Sequence, residues 1–209
     1  MDGPNKHQQR TQATRGKLLK AGMRVFARDG FEAARIEDVA AEAGHTRGAF
    51  YANFKSKEEL FFALLEQEAH RRLVKLRGIL EQCPSVEERM RALRRFYLER
   101  AGDRQWALLM LEFRLYALRH GRMRAKLAAA HQRIRSSLNY TFVGHLIPSL
   151  LGQKSTAEQE TVKTLLEVVL SGFVLEHAYD PKRISEGQVL SALGRVFDVF
   201  MQGPVLAMK

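Results

Sequence analysis

Residues 46–54 read Thr-Arg-Gly-Ala-Phe-Tyr-Ala-Asn-Phe. Wound as a helix, they place Arg47, Gly48, Tyr51 and Asn53 on an outer side and leave Ala49, Phe50 and Phe54 to pack inward. The outer set suits hydrogen bonding to flat, acceptor-rich surfaces and to phosphate. The Arg47 guanidinium can donate two parallel bonds to the O6 and N7 of a guanine. The Tyr51 hydroxyl fits a phosphate or a base edge, and the Asn53 amide fits a phosphate. Gly48 lets a base or a thymine methyl come close to the helix backbone. Covalent chemistry has no comparable constellation: the sequence offers no paired carboxylates, metal-spaced His/Cys cluster, nucleophile elbow or phosphate-cradling glycine loop. Glu66 and His70 share a helical face, but two groups do not make a metal site.

The residues upstream supply the frame. Ile36, Val39, Ala40 and Ala43 recur at i, i+3, i+4 and i+7, one apolar face of a helix. Gly44 stands where a helix ends in a left-handed residue. Thr46 can cap the next helix by accepting an N–H left free in its first turn. Ala40, four residues before the glycine, is small enough for the two helices to approach closely. Two short helices joined in this way predict a helix-turn-helix, whose second helix enters the major groove of DNA.

Four blocks now stand in order: Val25-Phe26-Ala27-x-x-Gly30-Phe31, Ile36-x-Asp38-Val39-Ala40-x-x-Ala43-Gly44, Thr46-Arg47-Gly48-Ala49-Phe50-Tyr51-x-Asn53-Phe54, and Lys55-Ser56-Lys57-Glu58-Glu59-Leu60. Together they make the run from Thr11 to Leu65 resemble the DNA-binding domain of TetR-family (AcrR-type) transcriptional regulators. The resemblance implies an all-α chain. An N-terminal arm and three-helix helix-turn-helix domain (residues 1–55) would precede a helical ligand-binding and dimerisation domain (residues 56–209), with about nine helices in all. It also implies that Thr46 and Lys57 hold the DNA backbone, Lys57 at a helix N-terminus whose dipole favours a phosphate. The chain departs from the family pattern in two places. Ala34-Arg35-Ile36 has no serine or threonine to cap the first motif helix, leaving Arg35 to meet phosphate by charge alone. Asn53 stands where histidine is frequent. The implied DNA-binding set is Arg35, Thr46, Arg47, Gly48, Tyr51, Asn53 and Lys57.

Composition agrees with a soluble regulator. Net charge is +11 over 209 residues, and it is unevenly spread: +4 over residues 1–56, +8 over 57–151 and −1 over 152–209. A basic surface attracts phosphate backbone, so the near-neutral last quarter calls for a different partner. No run of about 18 apolar residues spans a membrane, and the polar, basic start lacks the apolar core of a signal peptide. Cys83 is the single cysteine, which rules out an internal disulfide and fits a reducing cytoplasm. A redox role for Cys83 stays open beside that of an inert thiol. No cofactor or metal is expected.

Along the chain, Met1 to Gln9 is expected to be a mobile arm whose cations, with Arg15 and Lys17, either reach DNA or stay solvated. An amphipathic helix follows over Thr11–Arg28, with Phe31 as a plug beneath the helix-turn-helix. Ser56-Lys57-Glu58-Glu59 is a capping box opening a helix to about Gln82, which Cys83-Pro84 closes. Ser85, with Glu88 three residues on, caps the next. The stretch Asp103–His120 is apolar on nearly all sides and is expected in the middle of a bundle. Glu112, set between its apolar faces, needs a partner; Arg119 is one choice and a ligand in a cavity the other. Trp106, Met110, Glu112, Phe113, Tyr116 and Tyr140 could line an aromatic effector pocket or serve as ordinary core.

The last two helices carry more apolar surface than one bundle face uses. Val162, Leu166, Val169, Leu170, Phe173, Leu193 and Phe197 are therefore the expected homodimer contact, through a four-helix bundle. The resulting expectation is a cytoplasmic, homodimeric, ligand-responsive repressor on a palindromic DNA operator, and not an enzyme. A constitutive regulator of the same fold without an effector is the alternative, and a small helical enzyme the remote one.

Overall fold

Three serines, a threonine and two glycines set six of the helix boundaries. The computed structural model describes residues 5–137, 146–147 and 156–202. Among these residues there are nine α-helices and one 3-10 turn, and no strand. They are α1 (Lys6–Asp29), α2 (Ile36–Glu42), α3 (Arg47–Tyr51), α4 (Lys57–Glu81), α5 (Val86–Glu99), α6 (Arg104–Arg119), α7 (Gly121–Ser137), α8 (Thr156–Tyr179) and α9 (Glu186–Gln202). The Ser56 hydroxyl accepts the Glu59 N–H at 3.3 Å, and the Glu59 carboxylate accepts the Lys55 N–H at 2.7 Å. Ser85 caps α5 through the Glu88 N–H at 3.2 Å. Ser185 and Gln188 cap α9 reciprocally, at 3.4 and 2.9 Å. Residues 6–9 of the expected mobile arm are helical, because α1 begins at Lys6, and residues 1–4 lie outside the described residues.

By packing, the described residues fall into two units: 5–71 with 108–137, and 72–107 with 146–147 and 156–202. The line is not at residue 55, where the sequence suggested it. The first half of α4 and most of α6 belong with the helix-turn-helix, and Phe31 is the reason. Its fully buried ring lies 5.2 Å from Phe26, 5.5 Å from Phe61, 4.6 Å from Phe113 and 5.0 Å from Tyr116, centroid to centroid. Phe61 and Phe113 stack at 3.7 Å. Tilted and edge-on aromatic pairs of this kind stabilise a core beyond their buried area. Gly22 lets α1 and α4 meet, since a Cβ there would lie 2.5 Å from Leu60 Cδ2.

Glu112 does not pair with Arg119, the ion-pair partner named from the sequence. Its carboxylate accepts the Phe31 backbone N–H at 2.7 Å, while Arg119 pairs with Glu32 at 3.6 Å. Gly30 makes the approach possible: it adopts φ +79°, and a Cβ there would lie 2.7 Å from Glu112 Oε2. The Tyr116 hydroxyl donates to Glu58 at 3.0 Å. Burial disfavours the Glu58 charge, but bonds from Ser56, the backbone and Tyr116, with Lys57 nearby, bring its pKa below the ordinary value. The α6 helix is not apolar-buried all round, since Leu115 and Leu118 are exposed.

In the second unit, Val162, Leu166, Leu170, Val174, Val189, Leu193 and Phe197 close around Tyr97. The Tyr97 hydroxyl donates to the Leu166 carbonyl at 2.9 Å, and burial pushes its pKa up to about 12. Arg94 lies across α9 above Gly194 and bonds Asp198 at 2.9 Å. This core corrects the expected dimer contact. Val162, Leu166, Leu170, Leu193 and Phe197 are at most 7% exposed within one chain, and Val169 and Phe173 pack against them half-buried. The apolar excess of the last two helices fills the subunit's own interior, because α5 supplies a third wall.

Candidate nucleic-acid interface

The turn between α2 and α3 is closed as the sequence required. Gly44 takes φ +68°, its N–H bonds the Ala41 carbonyl at 2.9 Å, and the His45 N–H bonds that of Ala40 at 2.9 Å. That pair of bonds is a Schellman motif, and glycine is the residue that enters it without strain. Val39, Ala40, Phe50 and Phe54 are buried behind it. Thr46 then caps α3, its hydroxyl accepting the Ala49 N–H at 3.2 Å. At the other motif helix Arg35 occupies the cap position and makes no side-chain cap bond, as the missing hydroxyl predicted.

Arg47, Gly48 and Tyr51 stand exposed on α3. Arg47 pairs with Glu37 at 3.0 Å and lies 5.5 Å from the Tyr51 ring. Arg35 approaches the same Glu37 at 4.0 Å. Ion pairs this exposed contribute little, so both guanidiniums can exchange Glu37 for another acceptor. Asn53 is turned inward: its amide donates to the Ala49 carbonyl at 2.8 Å. Its own carbonyl accepts from Arg15 at 2.9 Å, and the Arg15 guanidinium covers the Phe54 ring at 4.2 Å. Arg15, expected from the sequence either to reach DNA or to stay solvated, instead closes the C-terminal end of α3. Lys57 is likewise engaged, with Nζ 3.0, 2.6 and 3.4 Å from the carbonyl oxygens of Phe31, Glu32 and Ala34. Neither contact has a signal in sequence spacing, because each joins residues in different helices or turns.

Four of the expected effector residues, Met110, Glu112, Phe113 and Tyr116, lie in the first unit. Phe113 and Tyr116 belong to the aromatic cluster around Phe31, Glu112 to its backbone, and Met110 is buried beside them in sequence. Trp106 lies in the other unit, with the Arg72 guanidinium 5.6 Å above its ring. Tyr140 lies outside the described residues. A cavity of about 540 Å³ is present in the second unit, lined by Arg91, Arg94, Arg95, Leu98, Glu99 and Leu190 among others. Among the described residues no group of three His, Cys, Asp or Glu could hold a metal ion, and no helix is long and apolar enough to cross a membrane. Cys83 is free, half-buried, and its thiol points to the Ile79 carbonyl at 3.3 Å.

A capped, exposed recognition helix on a glycine turn defines a helix-turn-helix DNA-binding protein. Comparison with known proteins gives the family. Residues 18–64 match "Bacterial regulatory proteins, tetR family", and residues 86–200 match "BetI-type transcriptional repressor, C-terminal". The chain belongs to the TetR family and is a DNA-binding transcriptional repressor of that family, not an enzyme. It is 38% identical over 65 residues to YerO of Bacillus subtilis, an uncharacterized regulator of which the match spans 22%. It is 27% identical to the repressor AcnR of Corynebacterium glutamicum, over 89% of both chains. It is also 27% identical to the nicotine-responsive repressor HdnoR of Paenarthrobacter nicotinovorans, over 80% of this chain and 84% of that one. Two solved structures share the fold. A TetR-family regulator from Rhodococcus superposes with TM-score 0.71 at 22% identity, over 91% of this chain and 100% of that one. FadR of Bacillus subtilis, solved with stearoyl-CoA, gives 0.62 at 14% identity, over 91% and 99%.

Proposed function

We propose that this chain acts as a homodimer on a palindromic operator and that a small molecule releases it. Gly48 carries the DNA-reading part. A Cβ at this position would meet nothing closer than Thr46 Oγ1, 3.7 Å away, so packing does not require glycine there. Within a helix glycine costs roughly 1 kcal/mol against alanine. Clearance for a base edge beside Arg47 and Tyr51 accounts for that cost. Selection of bound sequences from a random DNA library tests the reading. It should return inverted half-sites about one helical turn apart, and a pool without enrichment would sink it.

The dimer is assigned to the outward rows of the last two helices. Thr164, Val168, Gly172 and Tyr179 are exposed on α8, and Val199 is exposed on α9 beside half-buried Val196. From Thr164 to Gly172 the α8 row carries no charged side chain, which suits a second copy of the same surface, and exposed Glu176 stands between Gly172 and Tyr179. Val168→Glu combined with Val199→Glu should give a folded monomer in sedimentation that binds the operator poorly. A dimer that persists would move the contact elsewhere. Charges at Leu166 or Phe173 would not make this test, since they enter the subunit core.

Release by a ligand draws support from relatives described as nicotine-responsive or solved with stearoyl-CoA. The cavity lined by α5 and α9 is of ordinary ligand size. Its lining sets Arg91, Arg94 and Arg95 beside Glu99 and Glu186 over Leu98 and Leu190, which suits a partly apolar molecule with polar groups of either charge. Loss of the selected duplex on adding such a compound is the readout. Binding would act as a population shift between DNA-competent and incompetent states.

A further inference from the structure

We propose that Lys57 is a positioning residue, which sets the recognition helix from behind and does not touch DNA. The proposal rests on the DNA-binding reading above. Resemblance alone assigns this lysine to a phosphate, at the positive end of a helix. The geometry points elsewhere. An ammonium group has three N–H donors, and Lys57 Nζ has three carbonyl oxygens within 3.4 Å, those of Phe31, Glu32 and Ala34. It also lies 5.1 Å from the centroid of the Phe31 ring, a cation–π contact. All three oxygens belong to the turn between α1 and α2, so a phosphate would have to displace one of them.

The turn so held determines where the reading surface stands. Its last residue, Ala34, is buried and leads through Arg35 directly into α2. The α2 start has no side-chain cap of its own, so the chain entering it is fixed by this clamp and by the Glu112 bond to Phe31. At five residues, α3 is too short to persist without support; it rests on α2 and on its own two ends. Lys57 thus acts on Arg47 and Tyr51 through Phe31, Ala34 and α2. Its charge is used inside the protein, where a carbonyl cradle fits a compact ammonium and not a longer, planar guanidinium.

A phosphate contact and a positioning role differ in their salt dependence. Each phosphate neutralised adds about 0.9 to the slope of log affinity against log salt. Operator binding by fluorescence anisotropy, from about 50 to 200 mM salt, is to be compared for the wild type, Lys57→Met and Lys57→Arg, with circular dichroism on each. The expected result is about tenfold weaker operator binding or worse in both variants, with the wild-type slope retained. A slope lower by about two in Lys57→Met, one phosphate lost in each half-site of the dimer, with Lys57→Arg restoring wild-type affinity, overturns the proposal in favour of a phosphate contact. Unchanged affinity in Lys57→Met overturns it as well. If the neutral variant does not fold, the charge-preserving one decides: wild-type affinity refutes positioning and weakened binding supports it. A wild-type protein without salt-dependent DNA binding would instead count against the DNA-binding reading.

Discussion

Arg47→Ala is expected to weaken binding to the selected operator by about 100-fold or more, because the dimer loses one bidentate guanine contact in each half-site, each supplying about 1–3 kcal/mol of discrimination. Binding to a scrambled duplex should fall much less, so the ratio of the two affinities is the quantity to measure. The fold has no stake in this side chain. Its guanidinium is exposed and its partner Glu37 is itself half-exposed, also shared with Arg35. Circular dichroism and sedimentation should therefore match the wild type. The operator itself should also respond: selection repeated with the variant should show relaxed preference at one base pair in each half-site. Specific binding that survives unchanged would mean that α3 is not the reading helix.

Phe31→Ala has the larger expected effect on stability. The ring is fully buried and contacts four other aromatic rings drawn from α1, α4 and α6. Truncating a buried phenylalanine costs about 3–5 kcal/mol, through lost transfer energy and the cavity left behind. Domains of this size are stable by about 5–15 kcal/mol, so the variant should lose much of its margin. Urea unfolding followed by circular dichroism should show a lowered midpoint, and operator binding should fall with it. An unchanged midpoint would mean that the cluster closes around the gap, contrary to the close packing of cores.

Local chemistry was legible in the sequence, and pairing at a distance was not. Gly44, Thr46, Ser56 and Ser85 announce helix ends because a cap involves residues three or four positions apart. The bare start of α2 was legible for the same reason. Periodicity likewise tells which side of a helix is apolar, but it does not say which partner that side meets. Phe113 and Tyr116 read equally well as a ligand wall or as core, and the structure spends them on Phe31. Leu166 and Phe197 read as a contact with a second copy, and α5 covers them within one chain. Glu112 was read as a carboxylate set between apolar faces and in need of a partner, but it is exposed, and it still accepts a bond. The partner is a backbone N–H exposed by the αL turn at Gly30, which carries no side-chain signature. The motif fixes where Lys57 stands in the chain, but the three carbonyls of the preceding turn that its ammonium meets carry no sequence signature.

The bond from Phe31 to Glu112 spans 81 positions, and this has a consequence for how the protein is made. A ribosome delivers the chain from its N-terminus, at roughly 5–20 residues per second. The helix-turn-helix emerges first, yet Phe113, Tyr116 and Glu112 are still to be synthesised. For several seconds the nascent reading head lacks one wall of its aromatic core and presents Phe31 and Phe61 to solvent. Its closure waits for α6. The part of the protein that reads DNA is thus translated early and completed late, and its exposure to chaperones and proteases is greatest before the rest of the chain has arrived.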